Sequence, residues 1–154
     1  MTSEHLLHTI PPIYDGNSKI LILGSFPSVK SREVSFYYGH PQNRFWRVLA
    51  AVLGCAVPSS NEEKTALLQS HNIALWDVIK SCDIVGSSDS SIKNVVPNDI
   101  GVILSSCGIR QIYSNGKTSE KLFNKYIKDT VGRDTVALPS TSPANASYNL
   151  ERLT

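Results

Sequence analysis

The chain lacks any long apolar segment. No stretch approaches the ~20 consecutive apolar residues of a membrane-spanning helix, and the first residues contain no apolar run of signal-peptide length. The sequence therefore predicts neither a membrane span nor a secretory signal. We expect a soluble, cytoplasmic protein with no membrane partner.

Cysteine and histidine are scarce and are not spaced like metal ligands. The chain has three cysteines, four histidines and no CxxC pair. The residues are Cys55, Cys82 and Cys107, with His5, His8, His40 and His71. Because zinc and iron–sulfur sites use characteristically spaced ligands, we expect no metal, no iron–sulfur cluster and no cofactor.

A strong net charge is also absent. The formal charge of +2 and the pI near 8.4 allow a nucleic-acid partner without requiring one, so any DNA-binding face must be local. Basic side chains do flank one loop, at Lys30, Arg32, Arg44 and Arg47. The alternative interpretation of these four residues is an ordinary solvated surface.

What is present suffices for one core. A length of 154 residues with 41% hydrophobic content predicts a single domain spanning residues 1–154, and we expect a monomer. Residues 1–17 are predicted to form a loose N-terminal segment. Residues 147–154 resemble the beginning of a helix, so we expect a C-terminal helix that is short or truncated.

The first clear element is a buried strand that leads into a long loop. Residues 19–24 form an almost continuous apolar run that stops at Gly24, which is typical of a central strand in a parallel sheet. Function in such sheets gathers at the carboxyl ends of the strands. The aperiodic loop that follows, residues 25–42, is therefore the first candidate for a functional segment. No Gly-x-Gly-x-x-Gly or phosphate-loop signature follows the strand, which argues against a phosphate-binding enzyme.

Helices and strands then alternate along the chain. A helix is predicted from Asn43, which can cap its start, to Gly54, and a second helix from Ser60, whose spacing to Glu63 fits a capping box. Residues 73–79 fit a strand or a helix equally well, and a third helix is predicted from Asn98 or Asp99 to Gly108. The remaining predictions are a strand at 109–114, a helix at 118–129 and a strand at 135–138. This order predicts a three-layer α/β/α domain with a central, mostly parallel four-stranded sheet.

Two segments resemble motifs of a known superfamily. The first segment combines residues 24–27, Gly-Ser-Phe-Pro, with residues 38–46, Tyr-Gly-His-Pro-Gln-Asn-Arg-Phe-Trp. The second segment is residues 138–145, Leu-Pro-Ser-Thr-Ser-Pro-Ala-Asn. They resemble the first and second motifs of the uracil-DNA glycosylase superfamily, respectively. The nearest likeness is to its hypoxanthine-DNA glycosylase branch, and the next is to the mismatch-specific uracil-DNA glycosylases. Shorter similarities lie at Trp76-Asp77, Asp89-Ser90 and Asn115-Gly116.

One position departs from the mismatch-specific pattern. Those relatives carry a water-positioning Asn in a Gly-x-Asn-Pro turn, and the corresponding residue here is Phe26. In the hypoxanthine branch the catalytic amide belongs to the Asn of the His-Pro-x-Asn stretch, so the resemblance implies Asn43 as the catalytic residue. The alternative role for Asn43 is a plain helix cap, and the two roles are compatible.

The resemblance also implies residues that bind the base and the DNA. The base-binding candidates are Gly24, Ser25, Phe26, Pro27, Tyr38, His40 and Asn115. The DNA-binding candidates are Arg44, Ser140, Thr141, Ser142, Pro143, Ala144 and Asn145. Each candidate also has a structural alternative. The alternative for Phe26 and Tyr38 is ordinary core packing, and for Asn115 it is a simple turn. The alternative for His40 is an internal hydrogen bond, and for residues 140–145 it is an ordinary surface loop.

The implied activity is hydrolysis of the N-glycosidic bond of deaminated bases in DNA, with hypoxanthine first and uracil second, as a step of base excision repair. No lysine stands at the motif positions, so no Schiff-base lyase step is expected. One alternative is a mismatch-specific uracil or thymine glycosylase. Another is a non-catalytic nucleic-acid-binding module of the same fold.

Overall fold

The computed structural model describes residues 4–8, 10–26, 36–38, 43–85 and 91–138. Within these ranges the chain forms two sheets and five helices. The strands are β1 Glu4–Leu7, β2 Ile20–Gly24, β3 Ile73–Asp77, β4 Ile79–Ile84, β5 Lys93–Pro97, β6 Gln111–Asn115 and β7 Val136–Leu138. The helices are α1 Phe45–Leu53, α2 Asn61–Ser70, α3 Gly101–Ser106, α4 Lys117–Tyr126 and α5 Lys128–Val131.

The larger sheet has the order β3-β2-β6-β7, and all its strand pairs are parallel. Leu21 and Leu23 of β2 are completely buried on one face, where α3 and α4 pack, and Ile22 is buried on the other, against α1 and α2. A strand that is covered on both faces needs apolar side chains at successive positions, which explains the Ile-Leu-Ile-Leu run. The predicted three-layer α/β/α architecture is confirmed.

A second, antiparallel sheet of order β1-β4-β5 was not foreseen. The ambiguous residues 73–79 prove to be β3, followed at once by the start of β4, which turns away from the large sheet. Asn98 holds this junction, because its side-chain amide donates to the carbonyl oxygens of Asp77 at 2.9 Å and Ile79 at 3.1 Å. Asn98 thus ties two strands together, and the helix predicted to open there begins at Gly101 instead and ends at Ser106.

The prediction of a loose segment at residues 1–17 is wrong for its described part. β1 pairs with β4 from Glu4 opposite Ile84 to Leu7 opposite Ser81. Further along, Ile10 is buried, and Ile13 exchanges two backbone hydrogen bonds with Leu75, at 2.9 and 2.8 Å. The segment is therefore held by partners about 60 to 80 residues away in sequence, which no local pattern reveals.

The ends predicted for α1 and α2 agree closely with the observed ends. Gly54 ends α1 in the left-handed conformation, with φ of 68°, as expected for a glycine C-cap. At the other end, α1 begins at Phe45, and the side-chain oxygen of Asn43 accepts a hydrogen bond from the Phe45 backbone N–H at 2.9 Å. Ser60 caps α2 through Glu63 N–H at 3.1 Å, while the Glu63 carboxylate reaches back to Ser59.

The later elements keep their predicted type with shifted ends. Strand 109–114 is observed as β6, strand 135–138 as β7, and helix 118–129 as α4 followed by the short α5. The predicted C-terminal helix at 147–154 lies outside the described residues. Within the described part of the chain, no helix has the length and apolar character needed to cross a bilayer.

Packing of the N-terminal segment can be tested by truncating one buried side chain. Ile10 is 3% exposed and belongs to the core cluster between the large sheet and α1. We expect Ile10→Ala to lower the free energy of unfolding by about 2–5 kcal/mol, measured by urea denaturation. Leu7→Ala is the matched control, because Leu7 is 61% exposed. Equal midpoints for Ile10→Ala and the wild type would contradict this packing.

Candidate active site

The carboxyl ends of three neighbouring parallel strands form the floor of the candidate site. Gly24 ends β2 and lies opposite Asp77, which ends β3. On the other side Leu23 lies opposite Ser114, so Asn115, the last residue of β6, follows directly beside Gly24. Because residues in register share a face of the sheet, Asp77 and Asn115 project from the same face, one strand to either side of Gly24.

Gly24 is required by the close approach of two polar side chains. A methyl group at this position would overlap the Asp77 Oδ1 atom and come within 3.0 Å of the Tyr38 hydroxyl oxygen. The Asp77 carboxylate and the Tyr38 hydroxyl therefore both lie over the backbone of β2 at Gly24. Any other residue at position 24 would displace one of them.

A buried histidine holds the Asp77 carboxylate. The Nε2 atom of His8 lies 2.8 Å from Asp77 Oδ2, and the two side chains are only 1% and 5% exposed. The His8 backbone N–H donates to the Lys80 carbonyl oxygen at 2.7 Å, which continues the pairing of β1 with β4. Sequence reasoning missed both residues, since it placed His8 in a loose segment and gave Asp77 no role.

The His8 ring is enclosed by two aromatic side chains. Phe26 meets it edge to face, with ring centroids 5.9 Å apart, and the Tyr37 ring lies at 6.0 Å. The Tyr37 hydroxyl donates to the Pro11 carbonyl oxygen at 2.8 Å, so it also anchors the N-terminal segment. Phe26, at the position where the motif resemblance leads one to expect an Asn in mismatch-specific glycosylases, thus packs against the histidine of the His8–Asp77 pair.

Tyr38 combines an unusual backbone with a buried hydroxyl. Its φ of 53° lies in the left-handed region, which non-glycine residues seldom adopt. Residues in such rare backbone conformations cluster at functional sites. Its ring stacks on Phe45, with centroids 4.1 Å apart and an interplanar angle of 17°. Its hydroxyl has no hydrogen-bond partner of good geometry among the described residues, although the Asn115 side chain lies close enough to affect it.

Burial and a neighbouring negative charge keep two phenols protonated. Burial is the larger cause and the Asp77 charge the second, and together they raise the pKa of both Tyr37 and Tyr38. The Asn115 side chain lowers the pKa of Tyr38 but does not offset the rise. Both tyrosines therefore carry hydroxyl protons at neutral pH, so the Tyr38 hydroxyl is available as a donor.

Asn43 is fixed at the start of α1. Its Oδ1 atom accepts from the Phe45 N–H, which sets the plane of the amide, and an amide oxygen retains a second lone pair after accepting one bond. Aromatic packing holds the same region, because the Trp46 indole N–H donates to the Tyr37 carbonyl oxygen at 3.1 Å. Asn43 therefore has a defined orientation at the start of α1.

The other predicted site residues fall into two groups. The backbone carbonyl oxygens of Gly24 and Ser25 already accept from Val78 N–H at 2.8 Å and Ile79 N–H at 3.1 Å, while Arg44 occupies the N-cap of α1. The second group lies outside the described residues and consists of Pro27, His40, Ser140, Thr141, Ser142, Pro143, Ala144 and Asn145. Among the residues that the structure describes, no group of three or more His, Cys, Asp or Glu side chains is arranged to hold a metal ion.

Comparison with known proteins decides the family. Residues 11–154 match the model of the uracil DNA glycosylase superfamily. The chain belongs to this superfamily. A relative named hypoxanthine DNA glycosylase from Methanosarcina barkeri is 36% identical over 137 residues, covering 88% of this chain and 85% of that protein. A second relative of the same name, from Methanosarcina acetivorans, is 35% identical over 144 residues, covering 92% and 90%.

A solved structure confirms the fold of this superfamily member. The solution NMR structure of a candidate uracil DNA glycosylase from Methanosarcina acetivorans superimposes with a TM-score of 0.80 at 34% identity, covering 94% of this chain and 89% of that one. The resemblance inferred from the motifs is therefore confirmed.

The close contact at Gly24 can be tested with a single methyl group. We expect Gly24→Ala to lower the free energy of unfolding by about 1–3 kcal/mol, because the added carbon overpacks the contact with Asp77 and Tyr38. Gly16→Ala is the control, since a methyl there meets nothing within 4 Å. Thermal melting of both variants makes the comparison, and equal melting temperatures would show that the contact is not tight.

The raised tyrosine pKa values predict a pH dependence. In the folded protein Tyr37 and Tyr38 remain neutral, whereas in the unfolded chain they ionise near the ordinary value of about 10. Their contribution to stability is therefore present below about pH 10 and is lost as the pH rises above it. Ultraviolet titration should show tyrosines that ionise only on alkaline unfolding, one fewer in Tyr38→Phe. Ionisation of every tyrosine before unfolding would contradict the assignment.

Proposed function

We propose that the protein is a DNA glycosylase that hydrolyses the N-glycosidic bond of deaminated bases, hypoxanthine first and uracil second, in base excision repair. The observation that carries the proposal is the row of Asp77, Gly24 and Asn115 beneath Tyr38, in a chain whose relatives are named hypoxanthine DNA glycosylase. The row offers an acceptor and an amide about 10 Å apart, two strand spacings, at the edge where such sheets bind ligands.

The reaction needs a positioned water and few catalytic groups. Negative charge grows on the departing base while the sugar becomes oxocarbenium-like, so oriented dipoles supply much of the acceleration. Asn43 suits the positioning of water because Phe45 N–H fixes its amide plane. An amide is a poor base near neutral pH, so Asn43 acts by orienting the water and not by taking its proton.

The base must leave the helix to reach this site. Flipped nucleotides are held by stacking and by hydrogen bonds to their polar edge. One face of the Tyr38 ring is occupied by Phe45, so stacking on a base would use the opposite face. Asn115 reads the edge of the base from β6, and Ser25, Phe26, Pro27 and His40 complete the surroundings as the superfamily motifs imply.

Contacts with the DNA backbone are assigned to two segments. Arg44, at the N-cap of α1, would neutralise a phosphate beside the flipped nucleotide. The hydroxyl and backbone N–H groups of residues 140–145 would hold the strand without reading its sequence. The monomeric state and the absence of a cofactor remain predictions.

Two alternatives keep specific sequence support. A mismatch-specific uracil or thymine glycosylase would share the fold, but Phe26 replaces the amide that its mechanism uses, and the Phe26 ring packs on His8. A non-catalytic binding module would bind lesion DNA without releasing a base. One assay that measures which base is released, and whether any base is released, separates both alternatives from the proposal.

The decisive assay offers the protein duplex oligonucleotides that carry hypoxanthine, uracil or mismatched thymine, and then cleaves abasic sites with alkali. We expect release of hypoxanthine and, more slowly, of uracil. Asn43→Ala should slow release by about 10²–10³-fold, the usual loss for one oriented group at a reacting centre. Its loss in free energy of unfolding should be only about 1 kcal/mol, as for a lost helix cap.

Asn61→Ala is the control, because Asn61 is an exposed asparagine in the first turn of α2. It should retain the wild-type rate. Full activity in Asn43→Ala would contradict the role of Asn43. Intact strands with every lesion would refute the enzymatic function, and lesion binding without base release would favour the binding module.

A further inference from the structure

The Asp77 carboxylate has fewer hydrogen bonds than its burial requires. Its side chain is 5% exposed, and among the described residues it makes one hydrogen bond, to His8. An ionised carboxylate can accept about four, and a buried charge that lacks partners is costly. Such a group in a native protein calls for an explanation, and a ligand that donates to it is one.

The uncommitted part of the carboxylate lies at the floor of the site. Oδ2 is bound by His8, whereas Oδ1 lies against Gly24, beside the Tyr38 hydroxyl. That hydroxyl is itself buried and makes no hydrogen bond of good geometry to the described residues, although the Asn115 side chain lies close to it. Two buried polar atoms from different elements therefore converge on one point at the carboxyl end of β2.

Deamination of adenine or cytosine changes a ring nitrogen from an acceptor to a donor, and a carboxylate that faces this nitrogen detects the change. Adenine and cytosine have a ring nitrogen that accepts a hydrogen bond next to an amino group. In hypoxanthine and uracil the same nitrogen carries a hydrogen and stands next to a carbonyl group. A carboxylate only accepts, so it pairs with the N–H of either deaminated base and faces the lone pair of either parent.

We propose that Asp77, oriented by His8, is the specificity residue that accepts the ring N–H created by deamination, N1–H in hypoxanthine and N3–H in uracil. The proposal rests on the glycosylase function proposed above and adds the group that separates the deaminated bases from adenine and cytosine, their parent bases. A site that is built to bond a substrate N–H rejects an analogue without it strongly, because the buried acceptor is then left unpaired. His8 is a positioning residue, since it contacts the carboxylate and not the base.

The test compares hypoxanthine with 1-methylhypoxanthine in otherwise identical duplexes. The methyl group replaces the N1 hydrogen and leaves the neighbouring carbonyl group in place. In the wild type we expect the methyl group to slow base release at least about a hundredfold. Asp77→Ala should slow release of hypoxanthine about 10- to 150-fold, the loss of a charge-assisted hydrogen bond, and should reduce the effect of the methyl group to about threefold or less.

Asp77→Asn separates charge from size. The amide has nearly the same shape as the carboxylate, so a purely steric effect of residue 77 would leave release of hypoxanthine unchanged. Because the amide keeps an acceptor oxygen but loses the charge, we expect release of hypoxanthine to fall about five- to tenfold, the difference between a charge-assisted and a neutral hydrogen bond. His8→Phe keeps an aromatic ring against Phe26 and Tyr37 but removes the hydrogen-bond donor, and it should weaken the discrimination between the two bases at least threefold, an effect on the order of 0.7 kcal/mol.

The chain contains a matched control pair. His5 and Asp83 also lie 2.8 Å apart on β1 and β4, but the His5 side chain is 63% exposed. Asp83→Asn should keep both release rates at their wild-type values. Melting curves for all variants identify any that fails to fold. If Asp77→Ala does not fold, the release rates of Asp77→Asn and His8→Phe test the role of Asp77 in its place.

The outcomes distinguish this proposal from the function on which it rests. Equal slowing of both substrates in Asp77→Ala, or equal release of both by the wild type, would overturn the role of Asp77 while leaving the glycosylase intact. No release by the wild type would refute the glycosylase. In that case, the binding affinity for the same duplexes, measured by fluorescence anisotropy, tests the role of Asp77. Tighter binding of hypoxanthine than of its methyl derivative, lost in Asp77→Ala, would support the role. An unchanged preference in Asp77→Ala would overturn it.

Discussion

The site depends on the contact between the Asp77 carboxylate and the bare backbone of Gly24. Parallel register brings the ends of β3 and β2 side by side, but only a glycine leaves room for the carboxylate and the Tyr38 hydroxyl together. Burial is the larger cause of the raised pKa of Tyr37 and Tyr38, and the charge of the same carboxylate adds to it. The carboxylate also ties the N-terminal segment to the sheet through His8. One close approach thus links both sheets and the long loop.

The sequence allowed prediction of the parts whose signals are local. An apolar run ending at glycine identified β2, and Gly54 and the Ser60–Glu63 spacing identified helix ends, because caps and buried strands depend on neighbouring residues. Motif resemblance then selected Gly24, Tyr38, Asn43 and Asn115. The structure brings Gly24, Tyr38 and Asn115 together and fixes Asn43 at the start of α1.

The parts that were missed depend on contacts distant in sequence. His8 and Asp77 are 69 residues apart, and β1 has only four residues, too few to show a period. A weak signal did exist, since Asp77 follows an apolar run of strand length, where parallel strands place functional groups. The run at 73–79 fitted a helix as well, so the end of β3 could not be located without its pairing to β2.

The two ends of the long loop are held by different means, which explains how a loop can carry precise chemistry. Gly24 is fixed by strand pairing, while Tyr37 and Trp46 are fixed by a hydrogen bond and aromatic packing. Binding groups on rigid supports keep their geometry better than groups on free loops. Asn43 and Asp77 stand on two such supports, so under the proposed function the water and the edge of the base would be positioned independently of each other.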